Sequence, residues 1–238
     1  FHKEYFKFIG SAIIILVYLV EKLFFDGTFN MHGTLLLLVG FSFLIFDFIN
    51  YYDRNIANFS LYFILYISLF LSILPVSFKL ALGEEVDAHL TNKSLEFFLV
   101  KPLSLILELT NFNSDYQGTI LYFEDTSSQR FQGVNILREC SGFYSVVIFL
   151  AAFSSYLHLV EWMFTKEKII FIVVGIIISY FANLLRMYII ILTGHYYGLE
   201  ALLLVHNNAG WLIFTIWVFA FWSLFSKYEE FIINRNSL

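Results

Sequence analysis

Long apolar runs separated by short polar clusters set the pattern of this chain. Five runs stand out: Phe8–Phe24, Thr34–Ile49, Ser60–Leu82, Ser141–Val160 and Ile169–Thr193, with a sixth at Gly210–Phe225. Each approaches the ~20 residues that carry a helix across about 30 Å of hydrocarbon. None shows the strict alternation of a barrel strand, so the runs predict helices. One long polar region, Gly83 to Glu139, separates the third run from the fourth. Within it, Leu95–Thr110 is apolar but short and holds Lys101-Pro102 in its middle, which predicts an interfacial helix rather than a span. Asp115–Phe123 and Phe131–Leu137 are β-prone, and the polar stretch Glu124–Arg130 between them predicts a small β-hairpin. The fold class expected is therefore an all-α polytopic membrane protein of about six transmembrane helices. Three helices fall in 1–82, an extracytoplasmic insertion with the interfacial helix and hairpin in 83–138, and three more helices in 139–238.

Composition removes the soluble alternatives. The chain is 59% hydrophobic and 14% charged, too apolar for a single water-soluble core of 238 residues. A net charge of −5 without a basic patch argues against nucleic acid as a partner. Phe8–Phe24 lacks an A-x-A-like cleavage site, so it is expected to be a span and not a removed signal peptide. With six spans, one set of connections collects Lys3, Lys7, Arg54, Lys166, Lys168, Lys227 and Arg235. The opposite short loops, Phe25–Gly33 and Gly194–Ala209, contain no Lys or Arg. The positive-inside rule then predicts a multi-pass cell-membrane protein with both termini cytoplasmic and the 83–138 insertion outside.

Three residues in apolar surroundings carry the candidate chemistry. Cys140 is the only cysteine, which excludes an internal disulfide framework and a cysteine-based zinc site. It opens the fourth run beside Arg138, and a helix N-terminus and a cation both favour thiolate, while Glu139 opposes it. A lone thiol is also a small buried hydrophobe in many proteins. Arg186 lies inside the fifth run, where an arginine costs ~2.5–3.5 kcal/mol on insertion scales. A structural pairing with Asn183, one turn back, is the alternative to a functional role. His206 is expected in the short loop before the sixth run, with His195 as a rival and His32 and His89 as further candidates on the same side. No HxxxH or HExxH spacing occurs, so neither a metal nor a cofactor is expected. In the expected topology Cys140, Arg186 and His206 all fall near the outer face.

Motifs at these positions resemble those of the exosortase/archaeosortase family of membrane cysteine transpeptidases. The matching residues are Glu139-Cys140-Ser141-Gly142, then Asn183-Leu184-Leu185-Arg186, then His206-x-x-x-Gly210 followed by Phe214, in order across about residues 83–225. The resemblance makes 139–238 the catalytic segment and implies Cys140 as nucleophile, Arg186 as oxyanion stabiliser and His206 as general base and acid. Arg138, directly before Glu139-Cys140, is not assigned by the family pattern and is a rival to Arg186 for the oxyanion role. The resemblance further implies exported protein substrates with a C-terminal motif, a transmembrane helix and a basic tail. Their cleavage would proceed through a thioacyl enzyme to a lipid or other amine acceptor. Two readings from other classes stand beside it: an intramembrane acyltransferase or thioesterase using the same Cys-His pair, and a transporter or scaffold whose Arg186 binds an anion without the thiol.

Overall fold

The computed structural model describes residues 3–24, 31–126, 130–160 and 166–236. These residues are mostly helical, with one small sheet. The expected connection Phe25–Gly33 and the expected turn Glu124–Arg130 lie partly outside the described residues. Among the described residues, three helical stretches are long and apolar enough to cross a membrane: Met31–Tyr52, Arg54–Leu82 and Lys168–Glu230; Phe143–Leu159 is apolar but shorter. Large apolar side chains such as Phe41, Phe78, Phe181 and Phe219 are exposed, as suits a hydrocarbon solvent.

The chain forms two compact units, Phe1–Gly83 with Val147–Lys166, and Glu84–Val146 with Glu167–Leu238. In the first, α1 (Lys3–Phe24) packs on α2 (Met31–Tyr52) with the Gly10 carbonyl pressed against Gly40. Helix α3 (Arg54–Ser68) starts at Asp53, whose carboxylate accepts from the amides of Asn55 (2.8 Å) and Ile56 (3.1 Å). A π-turn at Leu69–Ile73 joins it to α4 (Leu74–Leu82). Pro75 follows that π-turn, and Pro102 follows another at Glu96–Val100. The chain contains only these two prolines. A proline in a helix interior lacks an N–H and crowds the carbonyl four residues back. In both places the preceding amide bonds five residues back instead, Leu74 to Leu69 and Lys101 to Glu96, which lets the helix continue.

The second unit carries the candidate site. Leu95–Thr110 forms the end of one longer helical stretch made of α5 (Glu84–Leu95), the second π-turn and α6 (Lys101–Leu109). Leu99, Val100, Leu103 and Leu107 on one face enter the core, whereas Phe97, Leu105 and Leu109 are exposed. The expected hairpin is instead a three-stranded antiparallel meander of β1 (Ser114–Gln117), β2 (Ile120–Asp125) and β3 (Arg130–Asn135). Gly118 splits the first β-prone run. Its φ of 61° opens a two-residue Gly-Thr turn between Gln117 and Ile120, the glycine-first hairpin connection. Strand β2 turns Leu121 and Phe123 into the core beside Leu184, Met187, Ile190 and Ile191.

The remaining helices are α7 (Phe143–Leu159), whose residues from Val147 belong to the first unit, and α8 (Lys166–Asn236). Helix α8 is broken only at Gly198, with φ 82° and ψ −179°. Contacts across the break join residues equidistant from Gly198 along the chain: Phe171 with Phe225, Arg186 with Gly210, and Gly194 with Leu202. The two arms, 166–197 and 199–236, are therefore antiparallel and pack along their length. The loop expected at Gly194–Ala209 is absent, because Leu199-Glu200-Ala201-Leu202-Leu203-Leu204 favours helix as soon as the chain has turned. His206 consequently sits on the second arm and not in a loop.

The backbone at Gly198 occupies a region open essentially to glycine alone. Gly198→Ala is expected to cost ~1–3 kcal/mol, read as a lowered unfolding midpoint in detergent. A change within about 0.5 kcal/mol, the range of an ordinary surface substitution, would show that the arms do not depend on this turn.

Candidate active site

Cys140 lies in a single 3₁₀ turn, Arg138–Cys140, entered from an extended Leu137. Helix α7 begins at Phe143, so the cysteine precedes the helix and is not on its first turn. Local bonds fix the turn. The Cys140 amide donates to the Leu137 carbonyl (2.9 Å), and the Ser141 hydroxyl donates to the Arg138 carbonyl (2.6 Å). The same hydroxyl oxygen accepts from the Phe143 amide at 3.1 Å and so caps α7. Arg138 places its guanidinium 5.1 Å from the centre of the Phe143 ring, a cation–π contact that holds it on the site's flank. Cys140 itself is 8% exposed and belongs to the core of this unit.

Asn183 and Arg186 stand one turn apart on the first arm of α8, and each reaches a different piece of backbone. Asn183 Nδ2 donates to the Cys140 carbonyl at 2.9 Å, from a buried position. Gly142 makes room for it: a β-carbon there would fall 2.7 Å from Asn183 Cγ, and the residue's φ is 75°. The sequence Cys-Ser-Gly is thus a turn whose glycine admits the asparagine. Arg186 Nη2 donates to the His206 carbonyl at 3.4 Å, and its guanidinium lies over Gly210, where a β-carbon would be 3.0 Å from Arg186 Cζ. The H-x-x-x-G spacing therefore has a local physical meaning. His206 supplies a carbonyl and Gly210 supplies space for the same guanidinium.

Arg186 Nε is buried without a hydrogen-bond partner among the described residues. A buried donor left unpaired costs about 1–3 kcal/mol, more when charged, so this position is set up to receive an acceptor. His206 is half-buried. Its imidazole and the Cys140 thiol make no hydrogen bond to each other, so the structure joins Cys140 to Asn183 and His206 to Arg186 but not thiol to ring.

His195 is engaged elsewhere. Its Nδ1 bonds the Glu124 carbonyl, and its own carbonyl accepts from the Thr126 amide (3.0 Å) and hydroxyl (2.7 Å), stitching β2 to the end of the first arm. Phe112 packs edge-on against its ring at 4.9 Å. His32 bonds Ser72 at 3.1 Å within the first unit. No group of three or more potential metal ligands occurs among the described residues.

If the Asn183 bond holds the Cys140 turn, Asn183→Leu should loosen it. Iodoacetamide labelling of Cys140 in the folded protein is expected to accelerate about fivefold, the equivalent of one hydrogen bond of ~1 kcal/mol. An unchanged labelling rate, followed by mass spectrometry, would remove Asn183 from the positioning of the thiol.

The arrangement of a buried thiol, an arginine within an apolar helix and a histidine on the returning arm can be set against known proteins. A family model described as transmembrane exosortase (Exosortase_EpsH) matches residues 6–223. No curated protein and no solved structure matches the chain. The family match covers nearly the whole sequence and includes every residue of the site, and on that ground the chain belongs to the transmembrane exosortase family.

Proposed function

We propose that this protein is a membrane-embedded cysteine transpeptidase that removes a C-terminal sorting signal from exported proteins and transfers them to an amine acceptor. The observation that carries the reading is the pair of contacts made by one helix face. Asn183 holds the carbonyl of the cysteine turn while Arg186, three residues on, holds the His206 segment and keeps an unpaired donor. Family membership supports a transpeptidase role in general, and these contacts support the assignment of parts.

In this reading His206 takes the Cys140 proton and the thiolate attacks the scissile carbonyl, forming a C–S bond. Arg186 stabilises the negative oxygen that develops, in a site poor in water. The C–N bond then breaks and the imidazolium returns its proton to the leaving amine. An incoming amine, from a lipid headgroup or another donor, gives up a proton to His206 and attacks the thioester. A new C–N bond forms, the C–S bond breaks, and the thiol is restored. The backbone of His206 is held through its carbonyl by Arg186. Arg138, pinned to Phe143, is read as a flanking cation rather than the oxyanion group. The charge distribution supports cytoplasmic termini and a site at the extracytoplasmic face.

Mass spectrometry on candidate C-terminal signal peptides in bilayers tests this directly. The wild type is expected to release the tail and to show an acyl adduct on Cys140, and Cys140→Ala to do neither. Arg186→Leu should lower kcat by roughly 10²–10³ with the adduct still detectable, the range for loss of one oxyanion donor. Equal processing by Cys140→Ala would falsify the nucleophile assignment.

A further inference from the structure

A cavity of about 430 Å³ opens beside the cysteine turn. Its walls come from α5 and the π-turn after it, from Arg138, Ser141, Gly142, Phe143 and Val146, and from Ile176, Ser179 and Tyr180 on the first arm of α8. All of these belong to the second unit. The volume falls within the roughly 300–1,000 Å³ of pre-formed ligand sites. The lining is mainly hydrocarbon and aromatic, with Leu90, Leu95, Phe98, Leu99, Val146 and Ile176 as its apolar part.

One wall residue departs from the habit of most helical hydroxyls in the chain. A hydroxyl in an apolar helix ordinarily donates to the carbonyl four residues back. Ser42, Ser77, Ser155, Thr193 and Thr215 all do so here, at 2.6–2.8 Å. Ser179 does not, and neither does Ser68 in the first unit, but of the two only Ser179 lines this cavity. It is 1% exposed and its Oγ has no partner among the described residues. Its place in the helix is also informative. Ser179, Asn183 and Arg186 follow one another at spacings of four and three on one face, so the hydroxyl is one turn from the side chain that holds the Cys140 carbonyl.

We infer that this cavity is the specificity pocket for the substrate segment next to the scissile bond, and that Ser179 reads a hydrogen-bonding group carried into an otherwise apolar cleft. The inference rests on the Cys140 reading above. Two features favour a polypeptide over a lipid chain. Ser141 and Gly142, which follow the nucleophile directly, form part of the wall, so a chain joined to the reacting carbonyl runs on into the cavity. A hydrocarbon tail would also leave the Ser179 hydroxyl unpaired, whereas an amide or hydroxyl side chain or a peptide carbonyl satisfies it. Arg138 and Thr91 stand in this wall and also in that of a polar cavity of about 500 Å³ lined by Asp87, Asn92 and Asn135, so the apolar pocket continues toward polar surroundings.

The test separates this pocket from the chemistry. A synthetic peptide pool, with randomised residues ahead of an apolar helix and a Lys-Arg tail, is bound to Cys140→Ala protein in nanodiscs and cleaved by the Cys140 protein. Ser179→Ala and Leu90→Trp are compared in both backgrounds. Leu90 is 49% exposed, so the larger ring fills the cavity from its open side without disturbing the core. The wild type is expected to select particular residues ahead of the helix. Ser179→Ala should lose about tenfold in kcat/KM for peptides with a hydrogen-bonding side chain there and nothing for purely apolar ones, the worth of one buried hydrogen bond. Its thermal midpoint should hold or rise, since an unpaired buried hydroxyl is removed. Leu90→Trp should shift selection toward smaller residues in both binding and cleavage. Unaltered preferences in both variants, or a wild type without preference, would overturn the pocket while leaving the cysteine assignment standing. Co-purifying phospholipid that Leu90→Trp displaces, with peptide kinetics unchanged, would overturn it in favour of a lipid site. Cleavage that survives Cys140→Ala strikes the catalytic reading instead, and the binding arm still decides the pocket.

Discussion

An arginine and an asparagine on one apolar helix need protein partners, because hydrocarbon offers none. That need organises the second unit. The first arm of α8 has Leu184, Met187, Ile190 and Ile191 buried in the core, yet it also carries Asn183 and Arg186. The carboxamide reaches the one carbonyl that fixes the cysteine turn, and the guanidinium reaches the carbonyl of His206 on the returning arm. Each bond is modest alone, worth about 0.5–1.5 kcal/mol net and somewhat more with a charged donor. The alternative is an unpaired amide and cation in a low-dielectric setting, which costs considerably more. Polar necessity therefore brings the parts of the site together.

Close approach has to be permitted as well as favoured. Gly142 stands where a side chain would collide with Asn183, and Gly210 stands where one would crowd the Arg186 guanidinium. Gly198 supplies the reversal that puts residue 210 opposite residue 186. These glycines sit at distinct levels of the structure: one beside the cysteine turn, one on the second arm, one at the bend between arms. Together they show why three candidate residues spread over 67 positions, from 140 to 206, can be placed by a short turn and a single helical hairpin.

Much of this was legible in the sequence, and the parts that were not have identifiable causes. Run length and apolarity located the long helices, and the three-residue spacing of Asn183 and Arg186 put both on one helix face, although each bonds a different backbone carbonyl rather than the other. The helical form of residues 199–209 was missed because Gly194, His195 and Asn207-Asn208 look like loop punctuation, yet a single glycine turns the chain while its neighbours keep helical geometry. The third strand was hidden inside one β-prone run, although Gly118 was the available signal. The π-turns before Pro75 and Pro102 could not be read at all, since a proline announces a break in the ladder but not how the helix absorbs it. The position of Cys140 one turn ahead of α7 depended on Ser141 acting as the cap, a role that an apolar-run boundary does not reveal.

Two buried donors on the first arm, Ser179 Oγ and Arg186 Nε, are without partners among the described residues, and Asn183 lies between them. They are seven residues apart, hence about 10 Å along the helix at 1.5 Å per residue. An extended polypeptide advances about 3.3 Å per residue, so some three residues of substrate would cover that distance. An unpaired donor weakens the empty enzyme and every complex that fails to satisfy it, and it rewards only the ligand that supplies the missing acceptor. Discrimination of this kind needs little contact area. It suits an enzyme in a membrane, where hydrophobic contact distinguishes one apolar helix poorly from another and a few hydrogen bonds in a dry site can decide which chain is cut.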